Sequence, residues 1–139
     1  MASQTYRNSV LIRFSHCDPA GIVFYPRYVE IINNAIEDWM AEALEWPFSY
    51  LIVDRSDGFP TVSLSCNFLS PCRIGDTLEL ELTVLELGTS SCTLSVAGAV
   101  GSRVALNATL VLVYTHRSHT GEHSIAIPPA LRKRIAQYA

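Results

Sequence analysis

The sequence has little charge and no excess of positive charge. Only 17% of its 139 residues are charged, and the net charge is -3 at pH 7. Nucleic-acid binding depends on a basic surface, so we expect no nucleic-acid partner. No apolar run approaches the roughly 20 residues that a membrane-spanning helix needs, and we therefore expect no membrane partner.

Secretion signals and a disulfide framework are also missing. The first ten residues, MASQTYRNSV, contain neither the apolar segment nor the cleavage pattern of a signal peptide. The cysteines show no C-x-x-C spacing; they are Cys17, Cys66, Cys72 and Cys92. A chain of this length can bury a core without disulfides, so the expected location is a reducing cytoplasm.

The hydrophobic pattern predicts one α+β domain over residues 1–139. Period-two alternation over residues 6–14 predicts a first strand, and helical spacing over residues 26–44 predicts a long helix with Pro26 in its first turn. Alternation then returns over residues 62–68, 78–82, 92–100 and 104–114, separated by short turns, which predicts an antiparallel meander. A short helix is expected over residues 128–138.

Two further features of the predicted sheet are a bulge in one strand and edge strands with surface to cover. Leu85 and Leu87 are out of phase with the alternation from Leu78 to Leu82, which predicts a bulge near Val84. The edge strands leave surface to cover, and pairing with a second copy of the chain is a common solution.

The loop after the first strand, HCDPAGIVFYP, concentrates the residues that could perform chemistry. His16, Cys17 and Asp18 are adjacent, and neighbours in an extended segment point in opposite directions, so they are poor joint ligands for one metal ion. His116, His119 and His123 lie in a predicted polar turn without a metal-ligand spacing. We therefore expect no metal site. Cys17 as a nucleophile would need a base that His16, its direct neighbour, is badly placed to supply.

Asp18 precedes the predicted start of the long helix. A helix N-terminus presents unpaired N–H groups and a partial positive charge, which can stabilise an oxyanion. A carboxylate nearby could attack the same carbon or activate water there. The structural alternative is that Asp18 only opens an Asx-type turn before Pro19, and local chemistry alone favours that alternative.

The segment FSHCDPAGIVFYPRYVEIINNA resembles the signature of the 4-hydroxybenzoyl-CoA thioesterase family. The later segment GFPTVSLSCNF and the meander after it also match the layout of that family. The resemblance implies a hot dog fold, in which an antiparallel sheet wraps around one long central helix. It further implies hydrolysis of an acyl-CoA thioester by a dimer, with dimers often assembled into a homotetramer, and it implies no redox or metal cofactor.

Carried over by motif, the resemblance assigns roles to individual residues. Asp18 matches the catalytic carboxylate, as nucleophile or general base, and Tyr25 matches the residue whose backbone N–H polarises the thioester carbonyl. Asn33 stands where the aryl-specific enzyme has a helix aspartate that binds the phenolic hydroxyl of its substrate. We expect an apolar acyl pocket bounded by Phe24, Phe59 and the Asn33 side of the helix, although Phe59 could equally be ordinary core.

The sequence also departs from this family. Gly88, Thr89 and Ser90 occupy the stretch where the aryl-specific enzyme has arginines near the CoA phosphates. The basic residues that could replace them are Arg73, Arg103, Arg117 and Arg132. Three other functions stay open: a thioesterase acting on acyl-carrier protein, a hot-dog dehydratase with a His–carboxylate pair, and a non-catalytic acyl-CoA-binding module.

Overall fold

Two antiparallel sheets and one long helix account for most of the chain. The computed structural model describes residues 3–139. Its strands are β1 (Tyr6–Leu11), β2 (Asp57–Gly58), β3 (Thr61–Phe68), β4 (Thr77–Leu87), β5 (Ser91–Val100), β6 (Arg103–Val113), β7 (Thr115–Ser118) and β8 (Gly121–Ser124). Its α-helices are α1 (Tyr25–Asp38) and α2 (Pro129–Ala136). One strand, a long helix and then a run of strands is the order that the sequence predicts.

The larger sheet has five strands in the order β1-β4-β5-β6-β3, and every neighbouring pair is antiparallel. The three consecutive strands β4, β5 and β6 form its centre, whereas β1 and β3 are its edges. In β4 the side chains of Leu78, Leu80 and Leu82 are buried and those of Glu79 and Glu81 are exposed, as a strand with one buried face requires. The smaller sheet has the order β2-β7-β8.

The predicted irregularity in β4 is present. The register between β4 and β5 shifts between Val84 and Glu86. Leu85 lies at the shift and is 61% exposed. An extra residue in one strand turns the following side chains to the other face, which is why the leucine pattern falls out of phase there.

Helix α1 buries one stripe of its surface. A π-helical turn, Trp39–Ala43, continues it, so the helical segment agrees with the predicted residues 26–44. The stripe shares one hydrophobic core with the inward side chains of β4, β5 and β6, and α1 therefore packs against one face of the larger sheet. The buried residues of the stripe are Tyr28, Ile31, Ile32, Ala35, Ile36, Trp39 and Met40. Within residues 3–139, no helix is long and apolar enough to cross a membrane.

The first strand is shorter than the sequence predicts. Phe14 should face inward with Val10 and Ile12, but it is 77% exposed and belongs to a 3-10 turn, Phe14–His16. The backbone of Ile12 still pairs with the turn before β4: its N–H donates to Asp76 O at 2.8 Å, and its carbonyl accepts from Gly75 N–H at 2.9 Å. The chain then turns toward α1.

The strand β3 also differs from the prediction of one buried face. Val62 is 61% exposed, Leu64 39% and Phe68 45%. The reason is its position at the sheet edge, where the core of a single chain does not extend over it. An edge strand with exposed apolar side chains is a surface that a partner can cover.

Two local structures were not predicted. The segment with His116, His119 and His123, expected to be a polar turn, is the hairpin β7–β8. A second π-helical turn, Tyr50–Asp54, precedes β2. The final helix is confirmed, although α2 is shorter than the predicted residues 128–138.

Packing in the centre of the sheet predicts one stability effect. A Cβ atom on Gly98 of β5 would lie 3.1 Å from Leu106 Cγ, 3.1 Å from Leu80 Cδ2 and 3.2 Å from Leu78 Cδ1. We therefore expect Gly98→Val to lower the free energy of unfolding by about 1–3 kcal/mol through overpacking. Urea unfolding measures this difference. Ala97→Val, one residue away on the exposed face, should change it by less than about 0.5 kcal/mol, and equal losses in both variants would contradict the packing argument.

Candidate active site

The loop between β1 and α1 is closed by hydrogen bonds across its base. Cys17 forms a β-bridge with Val23, and Asp18 N–H donates to Ile22 O at 2.9 Å. The turn at the tip needs a left-handed residue, and Gly21 supplies it with φ of +79°. The segment before β4 is also bonded to the loop, because Val23 N–H donates to Cys72 O at 2.9 Å. The loop is thus a fixed platform for Asp18.

Asp18 makes the predicted Asx-type turn, but this uses only part of its carboxylate. Its Oδ1 accepts the N–H of Ala20 at 2.8 Å. Its Oδ2 accepts no hydrogen bond from residues 3–139, and the side chain is half-buried. The structural and chemical roles are therefore compatible, since one oxygen can hold the turn while the other stays available.

His16 has a positioning role in the same loop. Its Nδ1 accepts the N–H of Arg13 at 2.9 Å, and its carbonyl accepts the N–H of Phe24 at 3.0 Å. The second bond ties the start of the loop to the residue before α1. Because Nδ1 is occupied by the backbone, the imidazole is oriented by Arg13 rather than by Cys17.

The N-terminus of α1 is uncapped. Its N-cap residue, Phe24, has no side-chain acceptor, and the first turn has no acidic residue. Pro26 has no N–H, and the N–H of Arg27 donates to Phe24 O at 2.8 Å. The N–H of Tyr25 is paired with no acceptor in the described chain, so it is a free donor at the positive end of the helix.

Asn33 and Phe59 line one cavity, of about 250 Å³. Phe59 is 6% exposed and packs edge-on against Tyr114, so it is both core and cavity wall. Asn33 lies on the exposed side of α1. The remaining lining residues are Phe48, Leu51, Ile52, Asp57, Gly58, Pro60, Thr61, Arg117 and Glu122.

The predicted site residues therefore fall into two groups within one chain. Asn33 is eight residues beyond Tyr25, which is about 12 Å along an α-helix. Phe24 does not line the cavity of Asn33 and Phe59; as the residue before α1 it is half-exposed, with its ring against Tyr25 at 5.6 Å. Asp18, Phe24 and Tyr25 form one group at the helix start, and Asn33 and Phe59 form the other.

Sequence reasoning missed a buried carboxylate beside this cavity. The side chain of Asp57 is 1% exposed and accepts three hydrogen bonds: from Arg55 Nε at 2.9 Å, Tyr114 OH at 2.5 Å and His116 Nδ1 at 2.7 Å. Burial alone raises the pKa of Asp57, but the bonds from Tyr114, His116 and Arg55 outweigh it and hold this pKa below 3.8. The carboxylate is therefore ionised, and Nδ1 of His116 carries the donated proton. Because its partners lie far along the chain, no local pattern marks Asp57.

This His–carboxylate pair bears on the dehydratase alternative. Such an enzyme needs the imidazole in its pocket, and Asp57 lines the cavity whereas His116 does not. The arrangement therefore does not favour a dehydratase.

Within residues 3–139, no group of three or more His, Cys, Asp or Glu side chains could hold a metal ion.

The four arginines considered for phosphate binding differ in their contacts. Arg103 donates to Pro71 O and approaches Asp76, and Arg132 donates to Gly88 O. The guanidinium groups of Arg73 and Arg117 make no hydrogen bond or ion pair with the described residues. These two are available for a ligand, and Arg117 lines the cavity.

The fold and the loop define a class of protein. Residues 20–104 match the thioesterase superfamily, which is more than half of the chain, and the protein belongs to that family. The solved 4-hydroxybenzoyl-CoA thioesterase of Pseudomonas sp. strain CBS-3 superimposes with a TM-score of 0.83 over 95% of this chain and 99% of that one, at 24% identity. The predicted hot dog fold, an antiparallel sheet with one long central helix, is confirmed.

Sequence identity is higher over a shorter stretch of the same enzyme and in a second solved structure. The curated 4-hydroxybenzoyl-CoA thioesterase of Pseudomonas sp. strain CBS-3 is 32% identical over 76 residues, 54% of each chain, so this protein spans about half the length of the curated relatives it matches. A solved gentisyl-coenzyme A thioesterase is 28% identical, with a TM-score of 0.79 over 95% of this chain and 99% of that one.

The Asp57 cluster predicts a pH-dependent stability difference. Asp57→Asn keeps the size but removes the charge that three donors share, and we expect a loss of about 1.5–3 kcal/mol in the free energy of unfolding at pH 7. Because the pKa of Asp57 is lower in the folded than in the unfolded chain, its stabilisation is present above about pH 4 and is lost as the pH falls through the folded-state pKa. The difference between wild type and variant should therefore shrink in acid.

Urea unfolding between pH 3 and pH 7 measures this difference, as an order-of-magnitude test of the linkage. The control is Asp54→Asn, an exposed carboxylate three residues earlier in the chain. A difference independent of pH, or an equal effect of Asp54→Asn, would contradict the role of Asp57.

Proposed function

We propose that this protein is an enzyme that hydrolyses an acyl-CoA thioester to the free acid and CoA, with Asp18 and Tyr25 at its reacting centre. The observation that carries the proposal is a half-buried Asp18 carboxylate with one unbonded oxygen, fixed beside an uncapped helix whose Tyr25 N–H is free. Membership of the thioesterase superfamily and the acyl-CoA thioesterases among the similar proteins support it.

The chemistry needs only groups that this arrangement supplies. The Tyr25 N–H and the helix dipole stabilise the negative charge that develops on the carbonyl oxygen. Asp18 either attacks the carbonyl carbon, giving a mixed anhydride that water then hydrolyses, or removes a proton from an attacking water. In both routes the carbon–sulfur bond breaks, and CoA leaves as a thiolate that takes up a proton. The thioester is already activated, so no cofactor is required.

The site is completed, in this proposal, by a second copy of the chain. The cavity with Asn33 and Phe59 is about 12 Å from Tyr25 along α1. The edge strand β3 exposes apolar side chains, and Phe68 of β3 contacts Tyr25 at 6.2 Å between ring centroids, so the edge and the helix start form one surface. Antiparallel pairing of β3 with its copy about a two-fold axis covers this surface.

Such pairing also sets one protomer's cavity against the other protomer's loop. The dimer would then hold two equivalent sites, each with Asp18 and Tyr25 from one chain and Asn33 and Phe59 from its partner. A homotetramer of two such dimers is compatible with the same pairing.

The four cysteines are unpaired thiols, which agrees with a cytoplasmic location.

The first prediction from the proposed function concerns Asp18. Asp18→Asn keeps an Oδ1 acceptor for Ala20 N–H, so the loop should stay folded, whereas the charge that attacks or activates water is lost. We expect kcat to fall by about 10²–10⁴ on the best member of a panel of aryl-, phenylacetyl- and short fatty acyl-CoAs, measured by thiol release.

The matched control is Cys17→Ser, one residue away, which should retain activity. An inactive Cys17→Ser with an active Asp18→Asn would contradict the assignment and make Cys17 the nucleophile. A wild type that binds these compounds without turnover would instead indicate an acyl-CoA-binding module. Faster hydrolysis of the same acyl group on a carrier protein would indicate that the substrate is an acyl-carrier protein rather than an acyl-CoA.

The second prediction from the proposed function concerns the β3 edge. Leu64→Lys places a charge on the pairing surface, and we expect the dimer to dissociate in sedimentation experiments with loss of activity, since each site needs two chains. Leu85→Lys, the same exchange at the exposed bulge of β4, lies away from that edge and should leave both properties unchanged. A monomeric but fully active Leu64→Lys would show that one chain suffices.

A further inference from the structure

The turn that follows β1 is closed by the side chain of a histidine. The 3-10 turn Phe14–His16 begins after Arg13, and the N–H of Arg13 donates to Nδ1 of His16 at 2.9 Å. The N–H of His16 donates back to Arg13 O at 3.0 Å. In a typical capping box the third residue of the turn is glutamate or glutamine, and a side-chain oxygen accepts this N–H. Here the acceptor is a ring nitrogen, which can itself take up a proton.

This acceptor exists only in the uncharged imidazole. A neutral histidine has one ring nitrogen that accepts and one that donates, whereas both nitrogens of the charged form donate. Because Nδ1 of His16 accepts the N–H of Arg13, the hydrogen of the neutral ring is on Nε2. Protonation of Nδ1 would replace the hydrogen bond by a contact between two N–H groups, so the ring would have to rotate away from Arg13. An amide side chain in this position would show no such dependence on pH.

The same residue forms the first rung of the loop that carries Asp18. The carbonyl of His16 accepts the N–H of Phe24 at 3.0 Å, and Cys17 and Val23 form the next rung. Phe24 directly precedes α1, and Asp18 follows His16 by two residues. A rotation of the imidazole that displaces the backbone of His16 therefore acts on both the carboxylate and the start of the helix.

The titratable side chains that face or adjoin this imidazole come from three parts of the chain. Arg13, after β1, and Asp38 of α1 are the charged residues that line the same groove between β1 and α1. Cys17 and Asp18 follow on the loop. Histidine ordinarily titrates at about pH 6.5, whereas aspartate does so near about pH 4, cysteine near about 8.5 and arginine above about 12. A change in weak acid, between about pH 5.5 and 7.5, is therefore characteristic of an imidazole.

We propose that His16 is a positioning residue, which holds the Asp18 carboxylate and the Tyr25 N–H in their places while its imidazole is uncharged and no longer does so when it is protonated. This inference rests on the proposed thioesterase function and adds a control of the same site by pH. Reacting groups need exact placement, since a displacement of about 1 Å can lower a rate about 100-fold. Hydrolysis should therefore be fast at neutral pH and slow in weak acid.

The test is the pH dependence of kcat/KM for the best acyl-CoA substrate, followed by the loss of the ultraviolet absorbance of the thioester. For the wild type we expect a decrease of about 10-fold from about pH 7.5 to about pH 5.5. His16→Asn should match the wild type at the higher pH and lack this decrease. The reason is that Oδ1 of asparagine is as many bonds from Cα as Nδ1 and accepts the N–H at either pH. His16→Ala should be slow at both.

The comparison also separates His16 from the other histidines. His119→Asn changes an exposed residue in the turn between β7 and β8 and should keep the wild-type pH profile. His116 contacts Asp57, which lines the cavity. If the charge of His116 caused the decrease, His16→Asn would still show it. A decrease of equal size in the wild type and in His16→Asn would therefore overturn the inference.

The backbone amide resonances of Arg13 and Tyr25 report on the same change without turnover, by nuclear magnetic resonance of the full chain. In the wild type both should shift between about pH 7.5 and 5.5 with one midpoint, Arg13 because its hydrogen bond is lost and Tyr25 because the helix start moves. In His16→Asn both should stay constant over this range. Constant resonances in the wild type would overturn the inference even if its activity falls in acid.

The outcomes distinguish this inference from the proposed function. Hydrolysis with the same pH profile in the wild type and in His16→Asn would overturn the positioning role and leave the thioesterase function standing. Coupled shifts of both amides without hydrolysis of any acyl-CoA would support the role of His16 in the loop and overturn the function. Constant resonances without hydrolysis would overturn both.

Discussion

Burial of one stripe of α1 against the larger sheet is the constraint on which the rest of the structure depends. Ile32, Ile36 and Trp39 are 0–1% exposed and fix the rotation of the helix about its axis. With that stripe buried, Tyr25, Val29 and Asn33, spaced by four residues, come to lie together on the exposed side. The apolar packing that stabilises the fold therefore also determines which helix residues can meet a ligand or a second chain.

The start of α1 leaves one N–H unpaired without a side-chain cap. A serine, threonine or aspartate at the N-cap typically stabilises a helix by about 0.5–2 kcal/mol, and Phe24 provides no such bond. Such a cap accepts the N–H of the second or third helical residue, but Pro26 has none and the N–H of Arg27 already donates to Phe24 O. A capping side chain would therefore gain little here, and it would not pair the N–H of Tyr25, the first helical residue.

How much the sequence could predict depends on how local the determining contacts are. The helix, the bulge near Val84 and the Asp18 loop follow from spacing within short segments, and the sequence predicts each of them. The β7–β8 hairpin and the Asp57 cluster depend on partners far along the chain: Asp57 bonds Tyr114 and His116, 57 and 59 residues away. The meeting of Asn33 with Phe59 is also tertiary. In the proposed dimer Asp18 joins them from a second chain, which no pattern in one sequence specifies.

The buried Asp57 connects the stability of the fold with one side of the cavity. Its carboxylate accepts hydrogen bonds from Arg55, Tyr114 and His116, and it lines the cavity itself. The pairing of β2 with β7 joins this cluster to the β7–β8 hairpin, whose Arg117 and Glu122 also line the cavity. The Glu122 carboxylate is held by the Thr115 hydroxyl, whereas only the backbone of Arg117 is held, by the Ser56 carbonyl. The hydrogen bonds that stabilise the buried carboxylate therefore also fix the position of this side of the cavity.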